Sequence, residues 1–390
     1  MKRIYLDYNS STPLDERVIE AMNQYLKKFG NPSNLHSFGR EMREGIEVAR
    51  KKVANFLNCQ PEEIFFTSGG TEANNWAVKG LAFKRLSEGK KGHLITTAIE
   101  HASVLNAAQF LERLGFAVTY LMPDGKGWIS PEKVEESLRE DTFLVSIMHS
   151  NNEIGTLQPI GEIAQILRER EIFFHTDAVA SAGKIELNVK ELGVDGLTIS
   201  AHKLHGPKGV GALYLRKGTE IENLIHGGHH ELGLRSGTEN ALGIVGFGKA
   251  CEISQEEMAK VVPKIRDLRD YLEEEIEKRI PDILFNGHRE KRLCNTSSVS
   301  FGYIEGEALL MNLDLEGVAV SSGSACSAGE VSHVLKAISL PPEFLNSTVR
   351  FSLGRENTKE EIDYTLSVLE RVVKRLREIS PLRREEKWKR

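Results

Sequence analysis

Ser200-Ala201-His202-Lys203 stands between two strand-like apolar runs, at residues 195–199 and 210–215, and this stretch decides how the chain folds. Three glycines follow the lysine closely: Gly206, Gly209 and Gly211. A lysine at the end of a buried strand is unfavourable unless its amine has a partner or is used covalently. From this stretch alone two interpretations are open: a glycine-rich hairpin with an exposed lysine, or a lysine whose amine forms a Schiff base with an aldehyde cofactor.

Strand-like runs alternate with helix-like segments from about residue 60 to residue 250. The predicted strands are residues 64–67, 93–97, 117–121, 142–148, 172–176, 196–200 and 210–215. Amphipathic stretches at residues 102–114, 131–139 and 160–170 are predicted as helices. This alternation predicts an α/β fold with a mostly parallel sheet covered by helices, in which active sites lie at the carboxyl ends of the strands.

After about residue 250 the pattern changes. A long charged helix is predicted at residues 256–279, and a second helix at residues 359–377. The strand-like segments of this region are residues 297–301, 318–320 and 348–352. Because 390 residues are too many for one simple core, we predict two domains. The large domain is predicted to span residues 12–255, and a smaller α+β domain to combine residues 1–11 with residues 256–390.

Composition and charge argue against several classes of function. The net charge is -5 without a long basic run, so electrostatic binding to nucleic acid is not expected. The first residues lack the apolar stretch of a signal peptide, and no segment has the roughly 18 apolar residues of a membrane helix. Four widely separated cysteines do not form the pattern of a disulfide framework. A cytoplasmic protein that binds no membrane is therefore predicted.

Asp177 ends another apolar run, Phe173-Phe174-His175-Thr176-Asp177, one βα unit before Lys203. The two residues are therefore expected at neighbouring strand ends. A buried carboxylate needs a cationic partner or a metal, and the protonated pyridine nitrogen of pyridoxal phosphate (PLP) is such a partner. A helix N-cap or a structural ion pair are the alternative roles.

Ser68-Gly69-Gly70-Thr71 follows the strand-like run at residues 64–67 and precedes a helix start. Backbone N–H groups at such a turn bind phosphate, and glycine allows the phosphate to approach. The alternative is an ordinary turn in which Thr71 is the N-cap. No Walker-type lysine follows, so a nucleoside triphosphate site is not expected. His101 comes just after another run, and it either stacks on a flat cofactor ring, relays protons or is purely structural.

Cys326 lies in a stretch of small polar residues and glycines, Ser321-Ser322-Gly323-Ser324-Ala325-Cys326. An exposed thiol on an open loop is a liability unless it reacts, so Cys326 is predicted to be functional. Three other cysteines are predicted to be packing residues: Cys59, Cys251 and Cys294. No metal site is predicted, since His226, His229 and His230 lack helical ligand spacing and have no cysteine neighbours.

Together these segments resemble the cysteine desulfurases of the NifS/IscS type, which belong to the fold-type I, class V aminotransferase-like PLP enzymes. The resemblance extends over nearly the whole chain, from Tyr5 to Gly354. Its markers include Gly30-Asn31-Pro32-Ser33, Glu100-His101, Asn151-Asn152-Glu153-Ile154-Gly155 and Arg235-Ser236-Gly237-Thr238, besides the motifs above. It implies a homodimeric PLP-dependent transferase that converts L-cysteine to L-alanine and passes the sulfur to an acceptor protein, such as an iron–sulfur scaffold.

The resemblance also implies a role for each matched residue. Lys203 binds PLP as a Schiff base and moves the substrate α-proton, Asp177 holds the pyridine nitrogen, and His101 stacks on the ring and takes part in proton transfer. The phosphate is held by Gly70, Thr71, Ser200 and His202, with Thr238 reaching it from the second subunit. Near the substrate, Asn152 approaches the cofactor hydroxyl, Arg350 binds the carboxylate in a bidentate fork, and Cys326 attacks the sulfur and becomes a persulfide.

The chain departs from the family in three places. Ala180 stands where a glutamine usually bonds the cofactor hydroxyl, His229 replaces the third glycine of a glycine run, and the loop after Cys326 is about two residues shorter than in long-loop members. These changes concern the rate and the sulfur acceptor rather than the core chemistry.

Three other functions stay open at this point. A class V aminotransferase needs no loop thiol, so Cys326 argues against it, whereas a selenocysteine-preferring lyase shares the whole constellation. A PLP-binding protein with a regulatory or scaffolding role in sulfur-cluster assembly is the third alternative, which Ala180 favours.

Overall fold

The computed structural model of this chain describes residues 3–322 and 331–381. Cys326 lies outside the described residues. Among the residues that are described, no helix combines the length and the apolar character that crossing a membrane requires.

The strands are β1 (Ile4–Tyr5), β2 (Ile64–Thr67), β3 (His93–Thr97), β4 (Ala117–Leu121), β5 (Thr142–Ser146), β6 (Phe173–Asp177), β7 (Gly196–Ser200), β8 (Gly211–Leu215), β9 (Ile283–Asn286), β10 (Thr296–Phe301), β11 (Val318–Ala319) and β12 (Thr348–Ser352). The helices are α1 (Glu16–Asn23), α2 (Ser37–Leu57), α3 (Gly70–Asn75), α4 (Leu81–Ser87), α5 (Ala102–Arg113), α6 (Pro131–Glu136), α7 (Ile160–Arg168), α8 (Val189–Leu192), α9 (Ala241–Arg279), α10 (Gly306–Leu315), α11 (His333–Ala337), α12 (Pro342–Leu345) and α13 (Lys359–Ile379). A π-helical turn, Trp76–Gly80, joins α3 to α4.

The large sheet has the strand order β2-β8-β7-β6-β5-β3-β4. Neighbouring strands run parallel except at β8, which is antiparallel to both β2 and β7. The predicted α/β class with a mostly parallel sheet is therefore confirmed. The prediction placed β5 as far as residue 148, but the strand ends at Ser146, because the Met148 N–H donates to the Glu100 carboxyl instead of to a neighbouring strand.

The carboxyl ends of β6 and β7 lie side by side, as predicted. Asp177 at the end of β6 pairs with Thr198 of β7, and every residue of β7 is buried. After Ser200 the chain enters a 3-10 turn, Ala201–Lys203, which carries the lysine. The short distance along the sheet thus brings a carboxylate and an amine to the same edge.

Two glycines allow the turn at residues 68–71 to lie close to β8. A Cβ atom at Gly211 would lie only 2.7 Å from the backbone carbonyl carbon of Gly69. Gly69 itself has φ 154°, a conformation that side-chain-bearing residues rarely adopt. A side chain at Gly211 would therefore force β8 away from the turn.

The longest helix differs from its prediction. α9 begins at Ala241, not at residue 256, and it contains Pro263. Its first part is largely buried, with Phe247 and Cys251 fully inaccessible, so it lacks the polar face by which an amphipathic helix is recognised in a sequence. α9 contacts α1 and α2 as well as α13, so one helix crosses the boundary predicted at residue 255.

A second hydrophobic core lies around the three-stranded antiparallel sheet β12-β10-β9. It combines Ile4 and Leu6 from the start of the chain with residues between 265 and 373. β1 reaches this region by pairing in parallel with β11. The division into residues 12–255 and the remainder stays a prediction.

Candidate active site

Lys203 lies at the edge of the large sheet with its amine turned toward the start of the chain. Its Nζ donates to the backbone carbonyls of Asn9 and Ser10. Burial, together with the nearby cations Lys184 and Arg350, lowers the pKa of Lys203 to about 8. An amine with this pKa is partly unprotonated near neutral pH, which is the form that attacks an aldehyde.

Asp177 is held by a chain of hydrogen bonds that ends at His101. The Asn74 side chain donates to Asp177 Oδ2 at 2.6 Å and to Ser103 Oγ at 2.9 Å. The backbone N–H of Val179 donates to Asp177 Oδ1. The Ser103 backbone N–H donates to His101 Nδ1 at 3.1 Å, which places the hydrogen of a neutral imidazole on Nε2. His101 thus caps α5 and keeps one ring nitrogen available as a donor.

The predicted phosphate residues meet beside the end of β7. A Cβ at Gly70 would lie 3.7 Å from Ser200 Cβ, so the turn and the strand end are in contact. α3 begins at Gly70 with Gly69 as its N-cap, and Thr71 is exposed, so the alternative in which Thr71 caps the helix is wrong. His202 is half-buried, and burial lowers its pKa to about 4, so its imidazole is neutral.

Thr238 is the phosphate residue that the resemblance assigns to the second subunit. It is exposed and belongs to the segment just before α9. Its predicted contact with the phosphate of a second subunit stays a prediction.

Arg350 in β12 is almost fully buried and already binds groups of its own chain. Nη2 donates to Asp7 Oδ1 at 2.7 Å and to Ser10 Oγ at 2.9 Å, and Nη1 donates to the Asn152 carbonyl at 3.0 Å. Its Nε is buried without a hydrogen-bond partner among the described residues. The predicted bidentate contact with a substrate carboxylate stays a prediction: Nε has no described partner, whereas the neighbouring Nη2 is already bound to Asp7 and Ser10.

Sequence reasoning assigned no role to several residues that connect the predicted ones: Asp7, Asn9, Ser10, Asn74 and Ser103. Asn9 is buried, and its side-chain amide donates to the Asn152 backbone carbonyl and to Thr296 Oγ1. The backbone carbonyl of Asn9 accepts from Lys203 Nζ. Asn74 lies one helical turn after Gly70, on the buried face of the same helix. A polar residue at such a position is the sequence feature that could have identified Asn74 as part of the site. For Asn9 and Ser10 no such signal exists, because their contacts are to residues far along the chain.

The residues present fit PLP. Asp177 is a buried carboxylate at a strand end, and no described cation pairs with it, so a protonated pyridine nitrogen would supply the missing partner. Lys203 on the adjacent strand end offers an amine of lowered pKa, and the turn at residues 68–71 offers backbone N–H groups for the phosphate.

The cysteines that were predicted to pack and the predicted absence of a metal site can also be compared with the structure. Cys59, Cys251 and Cys294 are buried, and burial raises the pKa of each thiol, as expected of packing residues. Over residues 3–322 and 331–381, no three His, Cys, Asp or Glu side chains are grouped to hold a metal ion. That the protein uses no metal stays a prediction.

The chain is similar to several known proteins over nearly its whole length. Residues 4–365 match the aminotransferase class-V family. A cysteine desulfurase IscS of Dictyoglomus turgidum is 55% identical, over 100% of this chain and 99% of its own length. Among solved structures, a NifS-like protein with 41% identity has a TM-score of 0.91 and is covered completely by 96% of this chain. SspA, solved in complex with cysteine, is 40% identical with a TM-score of 0.80, over 92% of this chain and 100% of that one.

The fold and the site define a PLP-dependent enzyme of the fold-type I class. Within that class, this chain belongs to the cysteine desulfurases of the IscS/NifS type. The resemblance noted in the sequence is thereby confirmed, and the aminotransferase alternative is set aside.

Proposed function

We propose that this protein converts L-cysteine to L-alanine and takes up the sulfur on Cys326 as a persulfide. One observation carries the proposal: the buried carboxylate of Asp177, which forms no ion pair within the described part of the chain, lies at the strand end next to the low-pKa amine of Lys203. These are the two protein groups that PLP chemistry on an amino acid requires.

Each step at the substrate α-carbon is assigned to a residue of the chain. Bound PLP supplies an electron sink for the bond that breaks there. The Asp177 carboxylate, which Asn74 orients, would accept a hydrogen bond from the pyridine nitrogen of PLP and would keep that nitrogen protonated. The Lys203 amine takes the α-proton, for which a pKa near the working pH is favourable. His101 Nε2 lies on the far end of the same hydrogen-bonded chain and exchanges a proton with the substrate.

Sulfur transfer requires that the substrate be fixed and that a thiolate reach its sulfur. Arg350 binds the substrate carboxylate, for which its Nε has no other partner among the described residues, and the Asn152 carbonyl accepts from its Nη1. The Cys326 thiolate attacks the substrate sulfur, so an S–S bond forms and the bond between sulfur and the β-carbon breaks. A proton then replaces sulfur on that carbon. L-cysteine and the Cys326 thiol thus become L-alanine and a Cys326 persulfide, and the atoms balance.

The quaternary state and the destination of the sulfur belong to the same proposal. The active unit is a homodimer in which Thr238 reaches the phosphate of the other subunit, and the exposure of Thr238 supports this. The persulfide passes to an acceptor protein, such as the scaffold on which an iron–sulfur cluster is assembled. The protein works in the cytoplasm and binds neither nucleic acid nor a membrane.

The test is to add L-cysteine to the purified protein and to measure alanine and sulfide together, with a thiol reductant present to release the persulfide. Equal amounts of both products are expected. Cys326→Ala should still bind PLP and change its absorbance with L-cysteine, but release no sulfide above background. Cys251→Ala is the control and should keep turnover within about a few-fold of wild type, since this thiol only packs. Near-normal alanine production by Cys326→Ala would contradict the proposal.

A further inference from the structure

Glu72 places a negative charge beside the turn that is proposed to hold the cofactor phosphate. It lies in the first turn of α3, next to Thr71, and its Oε2 accepts from the Ser68 backbone N–H at 2.8 Å. A carboxylate is favourable at a helix N-terminus for the same reason that a phosphate is. The two anions therefore compete for the same electropositive turn, and they repel each other when both are present.

Arg235 offsets that charge. Its Nε donates to Glu72 Oε1 at 2.8 Å and its Nη2 donates to Glu72 Oε2 at 3.2 Å, which is a bidentate contact. The two side chains are only 18% and 13% exposed, so water screens the pair weakly. Burial raises the pKa of Glu72, but the hydrogen bonds from Arg235 and Ser68 outweigh it, and the pKa lies below its ordinary value.

The segment that carries Arg235 is itself fixed to the strand that leads into the turn. Glu231 is 5% exposed and forms a bidentate ion pair with Arg50, at 2.8 and 2.9 Å. Its Oε2 also accepts from the backbone N–H of Phe66 in β2, two residues before Ser68. The turn at residues 68–71 and the segment 231–235 are thus joined at two points, Glu231 with Phe66 and Arg235 with Glu72.

We propose that Arg235 is a positioning residue for the cofactor phosphate and acts through Glu72. By neutralising and orienting the Glu72 carboxylate, it keeps the turn at residues 68–71 in its shape and keeps the repulsion between Glu72 and the phosphate small. This inference rests on the proposed function, because it takes the turn at residues 68–71 as the phosphate site.

The competing explanation is that Arg235 touches the phosphate itself. Its Nη1 forms no hydrogen bond with the described residues, so a direct contact has to be tested. The two explanations differ in what Glu72→Gln does to an Arg235→Gln protein. If Arg235 acts by neutralising Glu72, removal of the Glu72 charge restores phosphate affinity. If Arg235 binds phosphate directly, the affinity stays low.

The experiment titrates PLP into cofactor-free wild type, Arg235→Gln, Glu72→Gln and the double variant, and follows the absorbance of the bound cofactor. Arg235→Gln should weaken PLP binding about tenfold, because the uncompensated charge of Glu72 then repels the phosphate. Glu72→Gln and the double variant should bind PLP within about threefold of wild type. Competition by inorganic phosphate, which involves no reaction at Lys203, should follow the same order.

Arg216→Gln is the matched control. Arg216 also forms an arginine–carboxylate pair, with Asp195 at 2.8 Å, but Asp195 precedes β7 and so lies at the opposite end of that strand from Ser200. The PLP affinity of Arg216→Gln should equal that of wild type.

A double variant that binds PLP as weakly as Arg235→Gln, or an Arg235→Gln protein whose PLP affinity is within twofold of wild type, overturns the inference. If Arg235→Gln does not fold, the double variant alone decides the test. Wild-type-like PLP binding by the double variant then supports the inference, and weak PLP binding overturns it. Wild type that takes up no PLP would refute the proposed function instead.

Discussion

Glu100, the residue before His101, should be an uncharged acid in the folded protein. It is 1% exposed, and its Oε1 accepts from Thr97 Oγ1 at 2.8 Å and from the Met148 backbone N–H at 2.9 Å. Its Oε2 is buried without a partner in the described part of the chain. Burial raises the pKa of Glu100 from 4.5 to about 8, and the charge of Asp177 adds to the effect. Glu100→Gln keeps the shape of the protonated acid and removes the ionisation.

The magnitude follows from the pKa difference. A carboxyl whose pKa is raised in the folded state contributes stability that is complete below pH 4.5 and is lost as the pH rises to about 8. The difference between 4.5 and about 8 corresponds to about 5 kcal/mol in the free energy of unfolding. The wild type should therefore lose up to this amount, relative to Glu100→Gln, between pH 5 and pH 9.

The measurement is urea-induced unfolding of both holoenzymes at pH 5, 7 and 9, followed by far-ultraviolet circular dichroism. Only the difference between the variant and the wild type is used, because all other titrating groups then cancel. Glu132→Gln is the control, since it makes the same substitution at an exposed glutamate, and it is measured in the same way. A Glu100→Gln difference that is also constant from pH 5 to pH 9 would refute the assignment of an uncharged Glu100.

The remaining predictions concern the cofactor site. Borohydride reduction of the yellow holoenzyme should fix the pyridoxyl group on Lys203, as read by peptide mass spectrometry, and a label on Lys184 or Lys208 would contradict the assignment. Mixing Lys203→Ala chains with Thr238→Ala chains should restore activity, since some mixed dimers then hold one site free of both changes; a fully active monomer would disprove the shared site. Asn74→Ala should weaken PLP binding about tenfold, because Asp177 loses the donor at 2.6 Å, and an unchanged titration would show that this hydrogen bond is dispensable.

The strands of the large sheet could be predicted because each is a short apolar run that ends in polar or glycine-rich residues. β3 and β4 have the predicted ends for this reason. The same rule misses β9, whose residues are partly exposed and which is a strand because it pairs with β10. It also misses the pairing of Ile4 with Val318, since no local pattern reports a contact between such distant parts of the chain.

The site shows the same division between local and distant information. Asp177 and Lys203 could be placed side by side because strands of successive βα units are neighbours in a parallel sheet. The chain of contacts from Asp177 through Asn74 and Ser103 to His101 could not be predicted, because it depends on how α3 and α5 pack together. Residue types at strand ends therefore predict the chemistry, whereas helix packing sets the orientation of the groups.

Lys203 lies in the turn after β7 of the large sheet and Arg350 lies in β12 of the three-stranded sheet, yet both bind one short segment at the start of the chain. Lys203 donates to the carbonyls of Asn9 and Ser10, and Arg350 donates to the Ser10 hydroxyl and the Asp7 carboxylate. Asn9 in turn anchors this segment to both sides, through the Asn152 carbonyl and Thr296 Oγ1. The separation between the Lys203 amine and the Arg350 guanidinium is thus set by residues 7–10. Since proton transfer depends steeply on the placement of the reacting atoms, residues 7–10 position the two groups to which the proposed function assigns the chemistry, although none of their own side chains is assigned a chemical step.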